Sequence, residues 1–109
     1  MTSCWGIRGA TTVDDDNGDS ILDATRELLE AMMDLNQLDK AQVSAVWFTT
    51  TSDLKAEFPA LAARKMGWDK AALLCAHEMN VPNSLPKCIR VLLLVNTDKG
   101  PEDLKFVYL

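Results

Sequence analysis

KCIRVLLLVNTD, from Lys87 to Asp98, places a single arginine inside an almost unbroken apolar run. A short run of β-branched and aliphatic residues bounded by polar ones is typical of a buried strand. Side chains alternate along a strand, so Arg90 shares a face with Leu92 and Leu94. A buried arginine keeps its proton and requires an anion close by. That anion is either an acidic side chain in a structural ion pair or a bound ligand.

Length and composition predict one globular domain spanning residues 1–109. The chain has 48% hydrophobic and 25% charged residues and a formal net charge of -5. This acidic balance is atypical of proteins that bind nucleic acid or anionic membranes. No apolar run is long enough for a membrane span, and the N-terminus lacks a signal-peptide pattern. We therefore expect a cytoplasmic protein with neither nucleic acid nor membrane as a partner.

Cysteine spacing does not favour a metal site. The cysteines are Cys4, Cys75 and Cys88, with no close pair among them, and His77 is the only histidine. These four side chains contain the right atoms for a zinc site, but structural zinc ligands usually come in tight pairs. We expect free thiols and no bound metal.

The first half of the chain predicts a strand followed by an amphipathic helix. CWGIRGATTV, from Cys4 to Val13, reads as a strand in which glycines flank Arg8, and glycines in strands often mark the close approach of a ligand or backbone. The Asn17-Gly18 pair favours a tight turn, and Ser20, with Asp19 sharing the role, is the predicted helix N-cap. The helix is expected to run to about Asn36. Its predicted apolar stripe comprises Ile21, Leu22, Leu28, Leu29, Met32 and Leu35.

The second half predicts one more helix and four more strands. Pro59 suits the first turn of the helix and Gly67 suits its C-terminal end. The predicted strands are Val43 to Thr50, Ala71 to about His77, Lys87 to Asp98, and Phe106 to Leu109. The order of elements predicts an α+β fold in which two helices cover one face of a sheet.

Three arginines outside polar helix faces are the main functional signal. Arg8, Arg64 and Arg90 can converge with Tyr108 on a small polyanion. The sequence has no serine elbow, no glycine-rich loop before a helix, and no carboxylate cluster suited to magnesium. Residue patterns alone therefore indicate an α+β domain that binds an organic acid.

Five motifs together resemble the chorismate mutases of the trimeric, non-helical class. They are GIRGATTV, TSDLKAEFPALAAR, LLCAHEM, KCIRVLLLVNTD and FVYL, and they occur in the family's order across essentially the whole chain. The resemblance implies a mixed sheet packed against two helices, with three subunits forming a pseudo α/β barrel and active sites between neighbours. It also implies the rearrangement of chorismate to prephenate in aromatic amino acid biosynthesis, without cofactor or metal.

The same resemblance assigns roles to individual residues. Arg90 would face the breaking ether oxygen and a carboxylate, while Arg8 and Tyr108 would hold carboxylate oxygens. Glu78, with the backbone and thiol of Cys75, would receive the ring hydroxyl of the substrate. The remaining expected contacts are Phe58, Ala60 and Arg64 from across the subunit boundary, and Leu73 and Leu74 on the floor of the cleft.

Two alternatives remain open on the sequence. The chain can be a non-catalytic trimer that binds a small carboxylic acid, or its arginines can be occupied in ion pairs with Asp53, Glu57 or Glu78. Leu61 stands where some members carry a charge, and members commonly continue past the final strand into a flexible tail. From that difference we expect weaker substrate capture or faster release.

Overall fold

The computed structural model describes residues 2–109, and its elements follow the predicted order. They are β1 Ser3–Thr12, α1 Gly18–Leu35, β2 Val43–Thr50, α2 Ala60–Lys65, β3 Ala72–His77, β4 Cys88–Thr97 and β5 Val107–Tyr108. Single 3-10 turns at Lys40–Gln42 and Pro101–Asp103 precede β2 and β5. The five strands form one mixed sheet with two helices, which confirms the predicted α+β class.

The strand built on the long apolar run lies at the centre of the sheet. The strand order is β3-β2-β4-β1-β5. β4 pairs antiparallel with both β1 and β2, whereas β3 and β5 add parallel to the outer sides of β2 and β1. The register between β2 and β4 shifts between Val43 and Ala45, and from there the two strands stay in phase to Thr50. β4 is therefore the central strand, and its pairings define the register of both β1 and β2.

Helix α1 packs against one face of the sheet and closes the core. Alternate strand residues, among them Ile7, Phe48 and Leu93, are fully or almost fully buried. They meet the buried side of α1, which includes Leu28 and Met32. The alternation of strand side chains thus separates a core face from an opposite face that neither helix of residues 2–109 covers.

Gly9 shows why a glycine lies in β1. A Cβ atom at this position would stand 2.5 Å from Met32 Sδ and 3.2 Å from Leu28 Cδ1. The close neighbours of Gly9 are thus side chains of helix α1 on the core face, and not the ligand or backbone that the glycines of this strand suggested.

Some local predictions at the helix ends were wrong. Asn17, not Ser20, is the N-cap of α1, and its side chain accepts a hydrogen bond from Ser20 N at 2.8 Å. Asn17 has the extended backbone conformation of an N-cap, so the helix begins one residue later, at Gly18. Leu35 lies in the last turn at the border of the buried side and is 51% exposed, while Met33 is buried.

The ends of α2 agree with prediction. Pro59 has helical backbone angles immediately before the helix. Gly67 follows the C-cap residue Met66 and has a φ of 85°, the left-handed conformation that glycine adopts readily after a helix. Within residues 2–109, no helix is long and apolar enough to cross a membrane.

The uncovered face of the sheet carries large apolar side chains and Arg90. Trp47 is 49% exposed and Leu74 57% exposed. The side chain of Arg90 is 46% exposed, so the expectation that it is buried was wrong for the single chain. Its apolar neighbours Val91 and Leu93 point to the core, whereas Arg90 belongs to the face without a helix layer.

Candidate active site

Strand register brings four of the predicted residues to one cleft. Arg90 is paired across β4 with Ala10 on one side and Thr49 on the other, and Ala10 is paired in turn with Tyr108. Because neighbouring strands lie about 4.8 Å apart, Tyr108 and Arg90 are separated by roughly 10 Å along this row. Arg8 lies in the next row, opposite Leu92.

The cleft has a volume of about 570 Å³. It is lined by Arg8, Gly9, Ala10, Trp47, Thr49, Glu78, Leu85, Cys88, Arg90, Val91, Leu92 and Tyr108. Two cations, one carboxylate and one phenol thus face a space whose remaining walls are largely apolar. A volume of this size suits a small organic ligand.

Glu78 joins the cleft through the edge of the sheet. Its backbone N–H donates to Thr50 O at 2.7 Å and so extends the pairing of β3 with β2 by one residue. Its Oε2 accepts a hydrogen bond from Thr49 Oγ1 at 2.8 Å and lies 3.4 Å from a terminal nitrogen of Arg90. The Thr49 hydrogen bond is the main reason that the pKa of Glu78 lies below its ordinary value, and Arg90 lowers that pKa further. Glu78 is therefore ionised in the free protein at neutral pH.

Structural ion pairs account for only one of the three arginines. Arg90 contacts Glu78, but the pair is partly exposed and its separation is long for a strong hydrogen bond. Among residues 2–109, no carboxylate pairs with Arg8 or Arg64. Arg8 therefore stands beside Arg90 as an unneutralised cation, and this makes the cleft attractive to an anion.

The other predicted contact residues lie outside this cleft in the single chain. Phe58 is 67% exposed and borders a smaller pocket together with Cys75. Arg64 and Leu73 border a third pocket, next to Trp68. Ala60 is buried at the start of α2.

Cys75 and Glu78 lie on opposite faces of the sheet. Cys75 is paired with the buried Phe48 and packs against the core, whereas Glu78 reaches the uncovered face. Leu74 is on the uncovered face, paired with Trp47, at the edge strand β3. Within one chain, the thiol and the carboxylate are thus not brought together.

Thr49, Trp47 and Leu85 line the cleft but were missed from the sequence. Alternation in VSAVWFTT does place Trp47 and Thr49 on the same face of β2, opposite Phe48. The sequence does not reveal which of these faces the helices cover, because both carry apolar residues. Leu85 lies in the loop before β4, where no periodic pattern predicts its position.

The residues present offer charge complementarity and shape, with little support for nucleophilic catalysis. The cysteines are free thiols, with Cys4 exposed, Cys75 half-buried and Cys88 buried. In the described part of the chain, no group of three or more histidine, cysteine or acidic side chains is arranged to hold a metal ion. This is a two-layer α+β chain with a cationic cleft on the uncovered face of its sheet. These features are typical of proteins that bind, or act on, a small organic anion.

Comparison with known proteins identifies the family within this class. The profile of the family described as "Chorismate mutase type I" matches residues 4–109. Chorismate mutase AroH of Thermus thermophilus is 49% identical over 105 residues, which cover 95% of this chain and 86% of that protein. Chorismate mutase AroH of Bacillus subtilis strain 168 is 42% identical over 105 residues, covering 95% and 83%.

A solved structure agrees with these relatives. The chorismate mutase Cth-682 from Clostridium thermocellum superposes with a TM-score of 0.95 at 52% identity, covering 96% of this chain and 94% of the other. The chain belongs to the type I chorismate mutase family, as the resemblance of its five motifs indicated.

Proposed function

We propose that this protein converts chorismate to prephenate, the precursor of phenylalanine and tyrosine, as a homotrimer with its active sites between neighbouring subunits. The observation that carries this proposal is that one cleft contains both Arg90 and Arg8, that Arg8 has no ion pair among residues 2–109, and that Tyr108 lies on the same sheet face. Chorismate carries two carboxylates, an ether oxygen and a ring hydroxyl, and each has a suitable partner among these three residues and Glu78, which lines the same cleft.

The proposed reaction needs no nucleophile and no proton transfer. Arg8 and Tyr108 hold carboxylate oxygens and keep the enolpyruvyl side chain folded over the ring, so less conformational freedom remains to be lost at the barrier. Arg90 donates to the ether oxygen, on which negative charge develops as the carbon–oxygen bond breaks. A fixed guanidinium between apolar walls stabilises that charge more than water does, because it need not reorient.

The contact of Arg90 with Glu78 leaves both groups available to the substrate. Arg90 offers five donors, and its contact with one carboxylate oxygen at 3.4 Å occupies only part of its fork. Glu78 carries a negative charge and has lone pairs free to accept a hydrogen bond from the ring hydroxyl of chorismate. In this role the carboxylate anchors the ring, and it also balances one of the two cations.

Trimer assembly is proposed from the uncovered sheet face and from the second group of predicted residues. Exposed apolar side chains such as Trp47 and Leu74 are typical of a face covered by another protein surface. Phe58 and Arg64 border pockets that they share with residues of the edge strand β3. Arg8 and Tyr108 lie on β1 and β5, at the other side of the sheet. A head-to-tail ring of three copies places the β3 side of one subunit against the cleft of the next.

Replacement of Arg90 tests the chemistry. We expect Arg90→Ala to lower kcat by about 10²–10³, the scale of removing one donor to a developing oxyanion. Arg26→Ala is the matched control, since Arg26 is an exposed helix residue that contacts Asp23 and Glu30. Chorismate loss is followed by ultraviolet absorbance, and prephenate is identified by NMR. Near-normal turnover by Arg90→Ala would remove the proposed mechanism. No conversion by a folded wild-type trimer would instead favour a non-catalytic carboxylate-binding protein.

Mixing two inactive variants tests the shared site. Arg90→Ala and Arg64→Ala homotrimers are each expected to have low activity if both arginines serve one cleft. After joint denaturation and refolding in equal amounts, about one quarter of the clefts receive both wild-type arginines, one from each neighbour in the ring. We therefore expect recovery to about one quarter of wild-type activity. Activity that stays at the level of the parent variants would contradict a site built from two subunits.

A further inference from the structure

Thr49 lines the cleft and lies next to both Arg90 and Glu78. It is the cross-strand partner of Arg90, and its hydroxyl donates to Glu78 Oε2 at 2.8 Å. Arg90 approaches the same carboxylate oxygen at 3.4 Å. Thr49, on β2, is thus next to both the carboxylate of Glu78 and the guanidinium of Arg90, the two groups that the proposed reaction uses.

We propose that Thr49 is a positioning residue that fixes the Glu78 carboxylate, and through it the guanidinium of Arg90, in the orientation that receives the substrate. This inference rests on the roles proposed above for Glu78 and Arg90. Thr49 itself is assigned no contact with the reacting atoms.

The backbone around Glu78 does not fix the carboxylate. β3 ends at His77, and the N–H of Glu78 makes the last hydrogen bond of this edge, to Thr50 O. Residues 79–87 then form a loop without a strand or helix. A glutamate side chain at such a position has several rotamers, so side-chain contacts must select one of them.

Thr49 makes the strongest of those contacts. The hydrogen bond from Met79 N to Glu78 Oε1 is long, at 3.4 Å, and the Arg90 contact is equally long and partly exposed. The hydrogen bond from the Thr49 hydroxyl, at 2.8 Å, is the shortest of the three and is made to a charged acceptor. It also occupies Oε2, so Oε1, with only one long contact, is the oxygen with more capacity for a further hydrogen bond.

The charged surroundings of Glu78 make the inference measurable by titration. Arg90 from β4 is in contact with the carboxylate, and Arg8 from β1 and Tyr108 from β5 line the same cleft. On β3, the ring of His77 is turned to Thr50 on the core face of the sheet. The hydroxyl of Thr49 is the largest cause of the lowered pKa of Glu78, so its removal shifts that pKa upward while all four groups remain.

The test compares Thr49→Val, which keeps the shape but removes the donor, with Thr49→Ser, which keeps the hydroxyl. Carbon-13 NMR of the Glu78 carboxyl in the ligand-free protein gives its titration directly, with Glu78→Gln identifying the signal. We expect titration at higher pH in Thr49→Val and near-wild-type titration in Thr49→Ser. We also expect kcat/KM for chorismate to fall about three- to tenfold in Thr49→Val, the range that the net contribution of one ordinary hydrogen bond gives. The acid limb of the kcat/KM profile should move in the same direction as the titration.

Two results would overturn the inference. One is an unchanged Glu78 titration in Thr49→Val, and the other is an equal loss of kcat/KM in Thr49→Ser. Thr49→Ala provides a second donor-free variant if Thr49→Val does not fold. The NMR titration does not depend on turnover, so it tests the Thr49–Glu78 contact even if wild type fails to convert chorismate, a result that would refute the proposed function separately.

Discussion

Asn36 ties the end of helix α1 to the segment that leads into β5, and its replacement should destabilise the protein strongly. The side chain is 2% exposed. Its amide nitrogen donates to Met32 O and to Lys105 O, both at 2.9 Å, and its oxygen accepts from Lys105 N at 2.7 Å. One amide thus satisfies both backbone groups of Lys105, as a neighbouring strand would.

Asn36→Ala removes these three hydrogen bonds. At a net value of about 1 kcal/mol for each, the free energy of unfolding should fall by about 3 kcal/mol. This is a large part of the roughly 5–15 kcal/mol that stabilises a typical domain. Urea unfolding is the appropriate assay, and at a slope of about 2 kcal/mol/M the midpoint should drop by about 1.5 M. All samples need the same protein concentration, because assembly contributes to apparent stability.

The loss should also be local. β5 pairs with β1 only at Gly9 and Ala10, so the Asn36 clamp is a major restraint on the segment that carries Tyr108. Faster amide hydrogen exchange is therefore expected over residues 105–109 in Asn36→Ala than in wild type. Asn80→Ala, in an exposed loop, is the control and should change neither property. A loss of stability below about 0.5 kcal/mol, the range of ordinary surface substitutions, would refute the reasoning.

Two further predictions concern packing and pH. Gly9→Ala should lower the free energy of unfolding by about 1–3 kcal/mol, because the added methyl group overpacks against Met32. The double variant Gly9→Ala/Met32→Ala should lose less stability than the sum of the two single variants. Strictly additive losses in urea unfolding would contradict the contact. Asp53 accepts hydrogen bonds from Thr51 Oγ1 and from Lys87 N, and these lower its pKa below the ordinary 3.8. Its contribution to stability is therefore present above pH 3.8 and lost as pH falls through the lowered pKa, so Asp53→Asn should flatten the acid end of a stability-versus-pH curve. If the stability curve of Asp53→Asn keeps its wild-type slope at acid pH, Asp53 does not contribute to the loss of stability there.

Periodicity predicted the elements of the fold because each strand and helix has a clear local signal. Val43 to Thr50 was predicted with the bounds that the structure shows, and β4 differs from its prediction by one residue at each end. The N-cap of α1 was harder, because Asn17, Asp19 and Ser20 all have side chains that cap helices. The choice among them depends on which residue leaves the helical backbone conformation, and the sequence does not specify it.

The site could be predicted only in part, because its geometry comes from strand order and from the choice of covered face. Alternation along β4 predicts which residues share a face of the sheet with Arg90. It does not predict that helix α1 covers the opposite face. The cleft unites β1, β2, β4 and β5, and the pairing of strands from distant parts of the sequence is not a local property. The contact of Thr49 with Glu78 has the same origin, since it joins residues 29 positions apart.

The pairing of β1 with β4 has a consequence for folding during synthesis on the ribosome. Residues 3–12 find their partners at residues 88–97, and their other neighbour, β5, is made later still. At a synthesis rate of about 5–20 residues per second, the first strand waits several seconds without a partner. Its apolar side chains are exposed to other nascent chains during that interval, when long-range contacts cannot yet form. The nascent chain thus contains Arg8 early, but the cleft that Arg8 lines forms only after Tyr108 has been translated.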